Sequence, residues 1–197
     1  MRKTLFALAG LAMLGAQAHA EAPPAKAGTY AIDPRHTQVI FAIKHMGLST
    51  FYGRFGAVSG TLTFDPATPE RSTLNATIDM TNIQTHVDEL DKELKEGVFN
   101  AAKFPTATFA AAQIVKTGDN TGTVTGNLTL AGVTKPVTLN VTFNGGRNPP
   151  IPFQPYRLGF DATGTIKRSD FGLDRAIWSG MVSDDVTLQI ECELEKQ

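Results

Sequence analysis

Apolar and polar residues alternate along most of the chain, which is the pattern of a β-strand with one buried face. In the final segment, for example, Val186, Leu188 and Ile190 alternate with Thr187 and Gln189. Turn-forming residues separate several of these alternating segments, so we predict eight antiparallel strands. They are expected at Thr37–Met46, Phe51–Phe64, Ser72–Ile83, Thr106–Lys116, 123–130, 137–143, 158–166 and 186–194.

One segment between two of these strands has a different period. In His86–Phe99, the apolar residues Val87, Leu90, Leu94 and Val98 recur at the spacing of one helical face. This spacing predicts a short amphipathic helix inserted between two strands.

Eight strands with one apolar face must bury that face in a sandwich or in a closed barrel. Both architectures are compatible with the pattern. Long, evenly spaced strands joined mostly by short turns favour the barrel, which has no exposed edges and can hold one small ligand. We therefore predict an all-β fold: an eight-stranded antiparallel barrel with one short inserted helix.

The N-terminus has the pattern of a cleaved secretory signal. The basic residues Arg2 and Lys3 precede an apolar run at 5–14, which ends in the small-residue sequence Ala18-His19-Ala20. We predict a signal peptide at residues 1–20, a flexible leader at 21–29 and one domain at 30–197. This organisation predicts export to the periplasm, with no further segment apolar and long enough to anchor the protein in a membrane.

Composition excludes some partners. The net charge is -1, and without the two basic residues of the signal it becomes about -3 by counting charges. This balance gives no case for nucleic-acid binding.

Local motifs for catalysis or metal binding are also missing from the sequence. It contains no metalloprotease helix motif, nucleophile elbow, phosphate-binding loop or dinucleotide fingerprint. His36 and His45 are nine residues apart on one predicted strand, so they point to opposite faces. No enzyme activity, metal or cofactor is therefore predicted, and the single cysteine, Cys192, is interpreted as a small core residue.

The predicted inner face is strongly apolar. Val39, Phe41 and Ile43 share one face of a strand, whereas Lys44 lies on the other. Such an interior either fills itself with side chains or holds an apolar guest, and composition alone does not separate the two. The loops 144–156 and 170–185 also carry large apolar residues. These residues are expected to pack on a barrel end, line an entry or contact a second subunit, which leaves a homodimer open.

Several separated motifs, in order, resemble the YceI-like family over nearly the whole mature chain. They are Tyr30–Gly47, Gly53–Phe55, Lys103–Phe109, Gly126–Val137, Lys167–Leu173 and Gly180–Val186. The resemblance implies a periplasmic, lipocalin-like barrel that binds polyisoprenoids or similar long-chain amphiphiles, with a stress role in some relatives. One departure is Glu93, which stands where the family's helix usually has a histidine.

The leading hypothesis is therefore a protein that binds a long-chain isoprenoid or other apolar lipid, of the polyprenyl phosphate or quinone class. The alternatives are an enzyme acting on a lipid or quinone head group, and a stress-related interaction module with a filled core. The expected lipid-binding residues are Phe41, Ile43, His45, Arg54, Phe55, Phe104, Phe109, Phe160 and Trp178. Arg54, His45 or Arg168 is the expected partner of a polar head group.

Overall fold

The computed structural model describes residues 25–174, Trp178 and residues 180–197. The predicted signal peptide and residues 21–24 of the leader lie outside the described residues. Strand β1 begins at Gly28, within the segment assigned to the leader. The strands are β1 (Gly28–Ile32), β2 (Gln38–His45), β3 (Ser49–Arg54), β4 (Val58–Phe64), β5 (Thr73–Asp79), β6 (Thr106–Lys116), β7 (Thr121–Leu130), β8 (Val133–Arg147), β9 (Arg157–Lys167) and β10 (Val182–Lys196).

The sheet closes on itself through β1. Ala31 lies opposite Thr61 of β4 on one side and opposite Glu195 of β10 on the other. The remaining walls follow in the order β4, β5, β6, β7, β8, β9 and β10, all paired antiparallel. Strands β1 and β2 both pair with β10, one after the other, and together form one wall of the barrel. Strands β3 and β4 pair with β2 and β1 and form the neighbouring wall, so ten strands build eight walls. The predicted eight-stranded antiparallel barrel is confirmed.

The prediction of one continuous strand over Phe51–Phe64 is wrong in detail. Residues 55–57 separate β3 from β4. There the backbone N–H of Gly56 donates to the carbonyl of Asp79 over 3.0 Å, and Arg54 exchanges backbone hydrogen bonds with Gln84 instead. β5 correspondingly ends at Asp79 rather than at Ile83, because the chain then leaves the sheet.

The predicted helix is present as two short pieces. Helix α1 (Asp88–Lys92) continues directly into a π-helical turn (Glu93–Val98). The wider turn is visible in the hydrogen bond from the Phe99 N–H to the carbonyl of Leu94, five residues earlier. None of the helices in the described part of the chain is long and apolar enough to cross a bilayer.

The two ends of the barrel differ. At the closed end, the segment between β5 and β6 folds over the opening, with Met80, Ile83 and Phe99 buried. The turn between β2 and β3 and the segment between β9 and β10 lie at the same end. The opposite end, here called the open end, carries the loops 65–72, 117–120 and 148–156.

Candidate functional site

The barrel encloses a cavity of about 660 Å³. Every wall contributes apolar side chains from its inward positions, because alternate residues of a strand face the same side. Leu62, Ile78, Leu139 and Leu188 are typical of this lining. The barrel is therefore not filled by its own side chains, and its hollow lies in the size range of small-molecule sites.

The cavity reaches the surface at the open end. Its lining there includes Pro66, Ala67, Lys116, Asp119 and Thr121, all of which are exposed. Apart from Lys116 and Thr121, which end and begin strands, these residues come from the loops 65–72 and 117–120. Polar and charged groups thus gather at the mouth, while the interior stays apolar.

An aromatic row closes the opposite end of the cavity. The ring of Phe55 lines the cavity and lies 5.1 Å from the ring of Phe41, measured between centroids. Its other neighbour is Phe99, at 5.8 Å and edge-on. Because Phe99 follows directly on the π-helical turn, the helical segment rests on the floor of the cavity.

A second aromatic group crosses the barrel. Phe64 on β4 lies 5.9 Å from Phe143 on β8 and 5.8 Å from Phe160 on β9. Phe143 and Phe160 are themselves 5.1 Å apart. Since β4 and β8 are opposite walls of the barrel, these rings span the interior and narrow it locally.

Two rings lie flat against the wall over glycines of the neighbouring strand. A Cβ atom built on Gly126 would come within 2.5 Å of Cζ of Phe109. The same construction on Gly53 collides with the ring of Phe41. Each glycine therefore gives its phenylalanine room to lie along the wall instead of projecting into the hollow.

The cavity brings together only part of the residue set predicted from the sequence. Phe55, Phe109 and Phe160 line it. Phe41 is buried behind Phe55, and Ile43 is half-buried against the core. The alternation along β2, β6 and β9 predicts the inward direction of Phe41, Ile43, Phe109 and Phe160, whereas Phe55 lies in the break between β3 and β4.

Besides Phe41 and Ile43, four more predicted residues do not line the cavity. The exposed Arg54 donates a hydrogen bond to the side chain of Gln84, and His45 lies at the closed end of β2. The ring of Phe104 packs on Gly132 in the turn between β7 and β8. Trp178 belongs to the segment between β9 and β10, and its buried indole N–H has no hydrogen-bond partner among the residues that the structure describes.

Arg168, the other expected head-group partner, holds the β9–β10 segment together. Its guanidinium donates to the backbone carbonyls of Ser183 at 2.9 Å and Leu173 at 3.0 Å. Glu93, which the resemblance places at a histidine position, begins the π-helical turn, and its carboxylate lies over Gly97.

Sequence reasoning missed the mouth and the polar groups of the lining. Lys116 precedes a glycine-containing turn, and Asp119 and Asn120 lie within it, so the sequence alone indicates only that they belong to a turn. Cys192 and Thr37 also line the cavity, and burial in this apolar space raises the pKa of the Cys192 thiol to about 11. For Cys192, the alternation of apolar and polar residues along β10 indicates from the sequence that its side chain faces inward.

A cluster of charged residues lies at the break between β1 and β2. Arg157 Nη1 donates to Asp33 and to Glu193, both over 2.9 Å, and His36 Nδ1 is 2.7 Å from Asp33. Burial alone would raise the pKa of Asp33, but hydrogen bonds from Arg35, His36 and Arg157 outweigh it and lower that pKa far below its usual range. The guanidinium of Arg157 occupies the position between the two carboxylates that a cation would need. The cluster therefore ties the strand break to β9 and β10.

Comparisons with known proteins agree with this architecture. The model of a family described as the YceI-like domain matches residues 30–194. A UPF0312 protein of Pectobacterium atrosepticum is 40% identical over 200 residues, which is 100% of this chain and 99% of that protein. BcnA of Burkholderia cenocepacia has a TM-score of 0.73 at 27% identity, covering 82% of this chain and 98% of its own. A polyisoprenoid-binding domain from Saccharophagus degradans, implicated in plant cell wall breakdown, has a TM-score of 0.65 and covers 85% of this chain and 98% of its own. At 18% identity, this last likeness concerns the fold alone.

Proposed function

The chain belongs to the YceI-like family, and we propose that it binds a long-chain isoprenoid or a similar amphiphilic lipid inside its barrel. The observation that carries this proposal is the apolar cavity of about 660 Å³, which is closed at one end and open at the other. The alternative of an interaction module requires a core filled by the protein's own side chains, and a hollow of this size does not fit that alternative.

The cavity is large enough to make such binding favourable. At about 30 Å³ for a group the size of a water molecule, it holds about twenty such groups, comparable to a chain of about twenty carbons. Burying about twenty methylene-sized groups contributes about 16 kcal/mol at about 0.8 kcal/mol each. This exceeds the estimated cost of association, about 4–15 kcal/mol.

The polarity of the cavity suggests an orientation for the ligand. The tail would point towards the apolar floor formed by Phe55 and Phe99. The head group would lie at the mouth, near Ser72, Lys116 and Asn120. A polyprenyl phosphate or a quinone would both present oxygen atoms there. We assign no catalytic step to these residues.

The proposed setting is the periplasm, reached through the signal at residues 1–20. There the protein would act as a carrier or store that keeps a water-insoluble chain away from solvent. A stress role is compatible with this activity.

The test is a cavity-filling substitution. Ala162 lines the cavity on β9, and Ala162→Phe places a ring in the space that the lipid tail would need. The protein is purified from the periplasm without detergent, and bound lipid is measured by native mass spectrometry and organic extraction. We expect the wild-type chain to carry lipid and Ala162→Phe to carry at least about tenfold less.

The adjacent residue supplies the control. Thr163 is exposed on the outer face of the same strand, so Thr163→Phe adds the same ring outside the barrel and should retain the lipid. The proposal fails if Ala162→Phe carries as much lipid as the wild type. It also fails if the wild-type chain contains no lipid and takes up no added prenyl alcohol.

A further inference from the structure

The loop between β8 and β9 exposes large apolar side chains at the open end. Phe153 has a relative exposure of 104% and Ile151 of 62%. The segment also contains Pro149, Pro150 and Pro152, which restrict the backbone. Phe153 has φ of 64°, a conformation that bulky residues rarely adopt. The loop thus holds apolar groups in water where ordinary packing would bury them.

This loop extends beyond the mouth of the cavity. The N–H of Phe143 donates to the carbonyl of Asn120 over 2.7 Å, which places Phe143 level with the turn at the rim. Strand β8 continues for four more residues to Arg147. At about 3.3 Å per residue, the loop begins about 13 Å farther out.

The charges around the loop favour an anionic partner. No acidic residue occurs between Asn144 and Phe160. Arg147 is exposed, and the ammonium of Lys26 lies 4.4 Å from the ring of Tyr156 at the end of the loop. Among the described residues, neither cation forms an ion pair. The acids nearest to the base of the loop, Glu193 and Glu195 on β10, both pair with Arg157. Across the mouth, the acids are Asp65, Glu70 and Asp119, accompanied by the cations Arg71 and Lys116.

We propose that this loop docks the open end of the barrel onto an anionic phospholipid bilayer, so that lipid passes between membrane and cavity without crossing water. Phe153 and Ile151 would enter the interface, and Arg147 and Lys26 would meet lipid phosphates. This inference rests on the proposed lipid-binding function. It adds the membrane surface as the partner and names the side of the barrel that faces it.

The test is flotation of the purified mature protein with vesicles of phosphatidylcholine, with and without phosphatidylglycerol. Phe153→Ser should lower the vesicle partition coefficient by about tenfold, because it removes the most exposed apolar side chain. Arg147→Gln should weaken binding only to vesicles that contain phosphatidylglycerol, and added salt should do the same.

The closed end supplies a matched control. Leu48 is also strongly exposed, at 82%, but lies in the turn between β2 and β3. Leu48→Ser should float like the wild-type chain. The proposal is overturned if the wild type does not bind vesicles, if Phe153→Ser binds equally well, or if Leu48→Ser weakens binding as much. A dimer that Phe153→Ser converts to a monomer, without vesicle binding by either, would identify the loop as a contact between copies and would also overturn it.

Lipid content separates this inference from the proposed function. Phe153→Ser should co-purify with as much lipid as the wild type, but should take up prenyl alcohol from vesicles more slowly. A wild-type chain that binds vesicles but never contains lipid contradicts the cavity function. A lipid-loaded chain that ignores vesicles contradicts only the docking.

Discussion

Replacing Gly126 by alanine tests whether the open interior depends on rings lying against the barrel wall. The added Cβ would lie 2.5 Å from Cζ of Phe109 and 2.6 Å from the carbonyl oxygen of Ala110. Since carbon atoms pack at about 3.5 Å, the ring must retreat by about 1 Å into the cavity. We therefore expect both a less stable protein and a smaller hollow.

The expected loss of unfolding free energy is about 1–3 kcal/mol, the usual range for overpacking a core. For a chain of this length, that corresponds to a fall in Tm of about 2–12 °C. Urea unfolding followed by circular dichroism measures the free energy, and native mass spectrometry of the same sample measures bound lipid. Lipid occupancy should fall because the displaced ring takes up cavity space.

Two further variants make the result specific to this contact. A Cβ on Gly159, also within a strand, meets nothing closer than 3.5 Å, so Gly159→Ala should be neutral or slightly stabilising. Phe109→Leu removes the ring atoms that Gly126→Ala would strike, so the double variant should recover part of the loss. Equal stability of the two glycine variants, or a coupling free energy below about 0.5 kcal/mol, would refute the reasoning.

Two other predictions concern titratable groups. Because the pKa of Cys192 is raised to about 11, iodoacetamide at pH 8 should alkylate the folded protein at least about 100-fold more slowly than the urea-unfolded chain. The alkylation rate of the folded protein should rise as the pH approaches 11. Equal rates for the folded and unfolded chains, measured by mass spectrometry, would contradict this prediction. Asp33→Asn should lower the free energy of unfolding at pH 7 by about 3 kcal/mol, because it removes the buried carboxylate that pairs with the guanidinium of Arg157. The lowered pKa of Asp33 means that its stabilisation is complete above the unfolded-state value of about 3.9 and is lost as pH falls through the folded-state value. Urea titrations should therefore show the difference between the two proteins shrinking below about pH 4, and a constant difference would count against the assignment.

The strands are predictable because alternation is a local property of the sequence, and the breaks between them are also visible in the sequence as a change in that alternation. Along the wall formed by β3 and β4, inward residues fall at odd positions up to Phe55 and at even positions from Val58 onwards. The same shift separates Ile32 from Val39, with the Asp33 cluster between them. A change from odd to even positions indicates that one residue is not paired in the sheet, because a shift of one residue turns every following side chain to the other face. Such irregularities bend strands and allow a sheet to curve into a barrel.

The candidate site was less predictable, because parity determines which residues face inward but not how deep each lies or which end is covered. His45 and Arg54 lie on suitable strands, yet the helical segment closes that end of the barrel, and the head-group position moves to the turn residues around Lys116.

Whether the interior remains hollow depends on volume rather than on polarity. Eight walls enclose a space that large side chains could just fill, so alanine and glycine at inward positions open it. Ala76, Ala107 and Ala162 line the cavity, and Gly126 lets the ring of Phe109 lie flat. Small residues at inward positions of a closed sheet are therefore the pattern that indicates a ligand, whereas the number of phenylalanines is compatible with a filled core as well.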